Sequence, residues 1–326
     1  MNEKRLNNVI NKLNSFDFDA MVCIDFNNIK YLSNYSPTSF AICILKEDPI
    51  ILSSAMDMEI ATETSEIPVK EFKSFSDLKE LFKKEKSKNS ENFKKIAIES
   101  NLPVSIYNKL EGPWELAISD ILQDIRMVKD KNEIAIMKEA TTISHKSFKE
   151  LNIQELQEKG ITEGEAAYKL GYLMREDGAE KESFETIIAS GSNSSLPHAK
   201  TEHKKLEAPI LMDWGCKYNS YCSDTSRTIP YTEYQEEIFD IVLEAHNKAI
   251  KAIKPGIAAC EIDNVARSII ADYGFEDNFI HSTGHSLGLD IHESPSISKK
   301  DNTILKENMV ITIEPGIYFE GKFGVR

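Results

Sequence analysis

Asp213 and Asp224 stand eleven residues apart in the run Leu211-Met212-Asp213-Trp214-Gly215-Cys216-Lys217-Tyr218-Asn219-Ser220-Tyr221-Cys222-Ser223-Asp224, and this spacing restricts the fold more than any other feature of the chain. The run reads as two short strands around a polar turn at Lys217 to Ser220. A turn closing between Tyr218 and Asn219 sets Asp213 directly opposite Asp224, with Cβ atoms about 5 Å apart. Two carboxylates so placed repel, more strongly as their surroundings dry. A fold that buries the pair must set a proton or a metal cation between them, whereas an edge hairpin leaves both acids in solvent. Pro209-Ile210-Leu211-Met212 on one arm, and Trp214 beside the first acid, favour burial.

The rest of the chain has room for such an interior. Its 326 residues accommodate two domains, each with its own core. Apolar residues make up 41% and charged residues 28%, the balance of a soluble globular protein. A net charge of −14, with 53 acids, leaves no basic stripe for nucleic acid. The Lys-rich stretch Phe82 to Lys88 is broken by Glu85 and reads as a solvated loop or helix end. Cysteines are few (Cys23, Cys43, Cys216, Cys222 and Cys260), odd in number and without CxxC spacing, which fits a reducing compartment. Cys216 and Cys222 match no zinc pattern and read as strand residues. The polar start has no apolar signal core, and no apolar run approaches the roughly 20 residues of a membrane span. The expectation is a soluble, cytoplasmic protein with no membrane or nucleic-acid partner.

Residues 1–125 read as a small α/β domain. Leu6, Val9, Ile10 and Leu13 recur at helical spacing, and Ala20 to Ile24 follows as a buried strand. Ser39 to Leu45 and Ile50 to Leu52 form a strand pair around Lys46-Glu47-Asp48-Pro49, and Lys95 to Glu99 is a further strand. Lys83 to Phe93 reads as a loop or helix edge. A boundary falls near Asp120 to Lys131. Beyond it Ile134, Met137, Ala140, Ile143 and Phe148 mark a long helix, and Thr162-Glu163-Gly164-Glu165 caps a second. Two helices follow the hairpin, Tyr234 to Lys254 and Cys260 to Tyr273, and strands return at Asn308 to Glu314 and Gly316 to Phe319. Residues 126–326 therefore read as helices packed on an antiparallel sheet.

Three of the seven histidines lie within twelve residues, at His281, His285 and His292, and a fourth, His198, follows Ser194-Ser195-Leu196-Pro197. Imidazole serves either as a metal ligand or as an acid–base group near neutral pH, and such a cluster has members for both. Glu314 ends the apolar run Met309-Val310-Ile311-Thr312-Ile313, so its carboxylate is either buried with a partner or at the rim. Together with the two aspartates and one histidine it completes an oxygen-rich set. That set suits Mn²⁺, Co²⁺ or Zn²⁺ in a two-metal hydrolase better than a structural zinc.

Four blocks resemble a known family: Met212-Asp213-Trp214-Gly215; Tyr221 through Thr228; Ser282-Thr283-Gly284-His285-Ser286-Leu287-Gly288-Leu289; and Thr312-Ile313-Glu314-Pro315-Gly316-Ile317-Tyr318. The chain looks like a pita-bread metallopeptidase of the Xaa-Pro aminopeptidase and prolidase group, to which methionine aminopeptidases and creatinases are related. Asn28-Ile29-Lys30-Tyr31-Leu32 and Arg126-Met127-Val128-Lys129-Asp130 resemble the group's N-terminal domain and linker. The implied fold is an α/β creatinase-like N-terminal domain over residues 1–125, then an α+β pita-bread catalytic domain with an antiparallel sheet over residues 126–326. The resemblance implies Asp213 on a first metal, Asp224 bridging two, and His285 and Glu314 on the second. His198, His281 and His292 match histidines that contact substrate, and Glu314 shuttles the proton of a metal-bridging hydroxide. Two divalent ions, Mn²⁺ before Co²⁺ or Zn²⁺, proline-containing peptides as substrates and a homodimer are implied as well.

In this family Gly324-Val325-Arg326 continues through a strand to a second bridging glutamate, so a chain ending at Arg326 is expected to lack its last strand and fifth ligand. The implied activity is cleavage between an N-terminal residue and proline. Prolidases carry an arginine ahead of the strand of the first Glu ligand to pair the dipeptide carboxylate. His292 to Met309 holds Lys299 and Lys300 but no Arg, and Lys is a poorer bidentate partner. The expectation is an Xaa-Pro aminopeptidase, with a dipeptidase as the alternative. A metal-free creatinase-like hydrolase and a binding module without catalysis are the remaining readings.

Overall fold

The computed structural model describes residues 2–82 and 93–326, so most of the stretch read as a loop from Lys83 to Phe93 lies outside the described residues. The chain divides into two compact units, Met1–Ile125 and Arg126–Arg326.

In the first unit the order is α1 (Asn2–Ser15), β1 (Ala20–Cys23), α2 (Phe26–Ser33), β2 (Ala41–Leu45), β3 (Ile50–Ser53), α3 (Met58–Thr64), β4 (Val69–Glu71), α4 (Phe75–Glu80), β5 (Lys95–Ile98), α5 (Val104–Leu110) and β6 (Glu115–Ile118). The strands form one mixed sheet in the order β4-β3-β2-β1-β5-β6, antiparallel at β1–β2 and β2–β3 and parallel elsewhere. β1 to β3 are buried along their whole length, which explains their unbroken apolar runs.

The second unit is entered through α6 (Ile121–Met127), which crosses the division after Ile125. It contains α7 (Lys131–Leu151), α8 (Ile153–Glu158), α9 (Glu163–Glu176), β7 (Lys181–Glu182), β8 (Ile187–Ser190), β9 (Ile210–Trp214), β10 (Cys216–Tyr218), β11 (Tyr221–Cys222), β12 (Thr225–Ile229), α10 (Glu233–Ala252), α11 (Ala259–Asp272), β13 (Gly284–Ser286), β14 (Glu293–Ile297), β15 (Ile317–Phe319) and β16 (Phe323–Val325). Capping boxes start α7 at Asp130 and Glu133, and α9 at Thr162 and Glu165, each satisfying orphan N–H groups at the helix end. No helix among the described residues is long and apolar enough to cross a membrane.

Two cores hold this unit together. One sets α7 and α9 against β8 to β10, with Met212 and Trp214 at its centre, and Trp214 stacks on Phe148 at 4.3 Å. The other sets α10 and α11 against β14 to β16. Because side chains alternate along β9, Met212 and Trp214 enter the first core while Asp213 between them faces the opposite way.

The hairpin closes one residue later than the sequence reading placed it. Lys217 pairs with Cys222 and Tyr218 with Tyr221, so the two-residue turn is Asn219-Ser220, both at positive φ (45° and 70°). That is the conformation of a type I′ turn, which asparagine tolerates at its first position. The same register continues into the β9–β12 ladder, where Asp213 faces Ser226 and Trp214 faces Thr225. Asp213 and Asp224 are therefore diagonal rather than directly opposed. A two-residue slip keeps both on one face.

A second correction concerns Met309 to Glu314, which forms no regular strand. It makes isolated bridges at Val128–Met309 and Ser286–Ile311, and hydrogen bonds from Thr312 N to His285 O (2.7 Å) and from Glu314 N to Thr283 O (2.7 Å). The segment touches β13 at scattered points, and the His285 N–H donates to Thr312 Oγ1 instead of a carbonyl. Cys216 and Cys222 are strand residues with free, buried thiols.

Candidate metal centre

Three segments deliver the central donors. Asp224 comes from the hairpin just ahead of β12, His285 from β13, and Glu314 from the extended segment beside it. One donor atom of each lies within 4.8 Å of the others. His285 Nε2 is 3.4 Å from Asp224 Oδ2 and 3.3 Å from Glu314 Oε1. The ring is oriented by Nδ1, 3.0 Å from Ser286 O, which leaves Nε2 facing the carboxylates. Thr312 Oγ1 donates to Glu314 Oε1 at 2.8 Å. A threonine two residues before a glutamate falls on the same side of an extended chain, a signal the sequence reading passed over.

Asp213 stands outside this trio but beside it. Ser226 Oγ donates to its Oδ1 at 3.2 Å, and Arg326 Nη2 lies 2.5 Å from its Oδ2, an ion pair off the hydrogen-bond direction. Arg326 Nε donates to Ser226 Oγ and sits 3.9 Å from Glu314 Oε2. The outer edge of β12, with Asp224 and Glu314, borders a cavity of about 1020 Å³ walled by Met137 of α7 and Val242 of α10.

The field of these groups favours positive charge. Burial opposes protonation of His285, yet hydrogen bonds to Asp224 and Glu314 raise its pKa to about 10. Burial likewise opposes ionisation of Glu314, but His285 and Arg326 bring it down to about 2. Burial, helped by the charges of Asp224 and Glu314, pushes Asp213 upward against Arg326. Two carboxylates and one imidazole that together hold a proton so strongly have the chemistry of a divalent-cation site, hard oxygens with one nitrogen. Asp224, His285 and Glu314 fit such an ion, with Asp213 next to them.

The other three candidate histidines lie around this trio. His292 packs edge-on against His285 at 4.5 Å between ring centres. His281 Nδ1 is bonded to Ser282 O (2.7 Å) and its Nε2 to Tyr318 OH (3.0 Å), a tyrosine to which the sequence reading gave no role. Burial lowers the pKa of both His281 and His292, which keeps them neutral near pH 7. His198 is exposed, on the turn after Gly191–Ser195, and is close enough to act electrostatically on both. That turn is anchored by Glu163 of α9, fully buried, which accepts from Ser190 N, Ser190 Oγ, Asn193 Nδ2 and Glu202 N at 2.6–2.9 Å.

Comparison with known proteins agrees with this geometry. Residues 135–326 match the model of metallopeptidase family M24, and residues 5–128 that of the creatinase/prolidase N-terminal domain. An Xaa-Pro dipeptidase of Pyrococcus furiosus is 40% identical over 334 residues, covering 99% of this chain and 93% of its own length. The crystal structure of the prolidase from Pyrococcus horikoshii superposes with a TM-score of 0.90 at 36% identity, covering 99% of this chain and 93% of that one. An X-Pro aminopeptidase from Thermotoga maritima gives 0.85 at 34% identity, with the same coverage of both chains. The chain belongs to metallopeptidase family M24 and is a metallopeptidase with a creatinase/prolidase N-terminal domain and a pita-bread catalytic domain.

Proposed function

We propose that this protein is an Xaa-Pro dipeptidase that uses two divalent metal ions, with Asp213, Asp224, His285 and Glu314 among their ligands. The observation that carries the reading is the 40% identity to an Xaa-Pro dipeptidase across 99% of the chain. It moves the assignment away from the aminopeptidase suggested by the lack of arginine between His292 and Met309. When bound, the ions supply a Lewis acid for the scissile carbonyl and an acidified water. The mixed carboxylate–imidazole donors suit Mn²⁺, Co²⁺ or Zn²⁺.

The chain's own groups do the rest. Glu314 accepts the proton of the attacking water and returns it to the prolyl nitrogen. His292, neutral near pH 7, donates a hydrogen bond to the carbonyl oxygen as negative charge grows there, and His281, with its proton on Nδ1 toward Ser282 O, accepts from and orients the Tyr318 hydroxyl at Nε2. His198 contacts substrate from the third side. The test is hydrolysis of Xaa-Pro dipeptides against Xaa-Pro-Yaa tripeptides, before and after chelation and with Mn²⁺, Co²⁺ or Zn²⁺ restored. Metal-dependent cleavage of the dipeptide in preference to the tripeptide is expected. Preference for the tripeptide restores the aminopeptidase reading, and cleavage that survives complete chelation refutes both.

A further inference from the structure

α11 carries two charged residues one turn apart, Asp263 and Arg267, which no step above uses. The Asp263 side chain is fully buried, and the pair is two-pronged: Arg267 Nε donates to Oδ2 at 3.0 Å and Nη2 to Oδ1 at 2.9 Å. Their remaining capacity goes to one short segment. Arg267 Nη1 donates to Phe279 O and Nη2 to His281 O, both at 2.9 Å. Asp263 Oδ1 accepts from Thr283 N at 3.1 Å and from Thr283 Oγ1 at 2.8 Å. The guanidinium also lies 4.1 Å over the Phe279 ring.

The gripped residues are 279, 281 and 283, alternate positions whose backbone groups all turn toward α11. This segment bears His281, leads directly to His285, and through Thr283 O accepts the Glu314 N–H at 2.7 Å. Burying an ion pair carries a desolvation cost that apolar side chains in the same place avoid, so stability alone is a poor reason for it. A planar guanidinium paired to a carboxylate does what apolar packing does not, which is to fix the direction of several hydrogen bonds at once.

We propose that Asp263 and Arg267 are positioning residues that hold His281 and, through Thr283, Glu314 at a fixed separation. Their catalytic consequence rests on the dipeptidase reading above, but the clamp itself does not. The test uses the full, metal-loaded chain with Arg267→Lys and the milder Thr283→Val, which removes one hydroxyl contact. Both are assayed well below their melting temperatures. For Arg267→Lys, kcat on an Xaa-Pro dipeptide is expected to fall about tenfold, with KM within about threefold and bound metal unchanged. Thr283→Val should show a smaller loss of the same kind. Hydrogen–deuterium exchange supplies the readout that is independent of activity: amides from 281 to 285 should exchange faster in Arg267→Lys, while those around His198 do not change. A folded Arg267→Lys protein with kcat within twofold of the parent, or with unchanged exchange over 281–285, overturns the proposal. If the unsubstituted protein cleaves no Xaa-Pro peptide, the dipeptidase reading fails, and the exchange result alone then decides for or against the clamp.

Discussion

Gly215→Ala tests whether the hairpin register places the acids. A Cβ at Gly215 would overlap Ser223 O and sit 2.7 Å from Ser223 C, with Phe184 Cε1 at 3.2 Å behind it. Backbone atoms cannot swing aside, and comfortable carbon contacts begin near 3.5 Å, so the two arms must part by roughly an ångström. The rungs at risk are Ser223 N to Cys216 O (2.9 Å) and Cys216 N to Ser223 Oγ (3.0 Å). Overpacking costs about 1–3 kcal/mol and each strained buried hydrogen bond about 1 kcal/mol, giving roughly 3–5 kcal/mol in all. For a unit of this size that lowers Tm by about 6–20 °C. Asp224 follows Ser223 and moves with it while Asp213 stays anchored in β9, so bound divalent metal should fall by about one equivalent per chain. Calorimetry and elemental analysis read the two effects. Gly274→Ala is the control: with φ at +82° and nothing within 4 Å of the added carbon, it strains only its own backbone and should leave metal content alone. A Gly215→Ala protein with unchanged Tm and full metal would refute the reasoning.

His285→Ala should lose metal by elemental analysis, whereas His292→Ala should keep it and lose turnover by roughly 10²-fold, the scale of one transition-state hydrogen bond. Equal metal contents in the two variants would break the division of the cluster into ligand and substrate-facing members. Glu163→Gln puts an amide where four donors converge and should cost about 2–4 kcal/mol in a urea titration, with kcat falling as the His198 turn loosens. In the first unit, Asp57 accepts from the Thr38 hydroxyl (2.6 Å), from Thr38 N, and from Ser39 and Tyr35, which hold its carboxyl well below the usual carboxylate range. A depressed native pKa stabilises above the unfolded value near 4, and that contribution is lost as pH falls toward the native one. The stability gap between the parent and Asp57→Asn should therefore be widest near neutrality and close steadily below about pH 4 in denaturant titrations.

The sequence disclosed the strands and helices where periodicity was strong, as in β1 to β3, α7 and α9. It also disclosed the donor types, because carboxylates and histidines flanked by glycine and apolar runs stand out on their own. What it hid was geometry set by small conformational choices. The turn at Asn219-Ser220 was readable from asparagine's tolerance of positive φ, yet a symmetric closure one residue earlier was equally consistent with the polar stretch. Met309 to Glu314 has the composition of a strand, but the Thr312 hydroxyl takes a backbone N–H that a regular ladder would give to a carbonyl, which composition alone does not announce. Asp263, Arg267 and Glu163 lie within helices, where a charged residue ordinarily faces solvent. Only the folded chain reveals that all three point inward.

Asp213 hangs from a backbone whose neighbours on either side, Met212 and Trp214, are locked in the core beneath α7 and α9. Its stiffness is therefore borrowed from that core. A substitution at Phe148, against which Trp214 stacks, has a short mechanical route to the carboxylate, one Cα away along the strand. Selection on the reaction then also constrains residues that never see substrate, and repacking beneath β9 becomes a means of retuning the site without altering any donor.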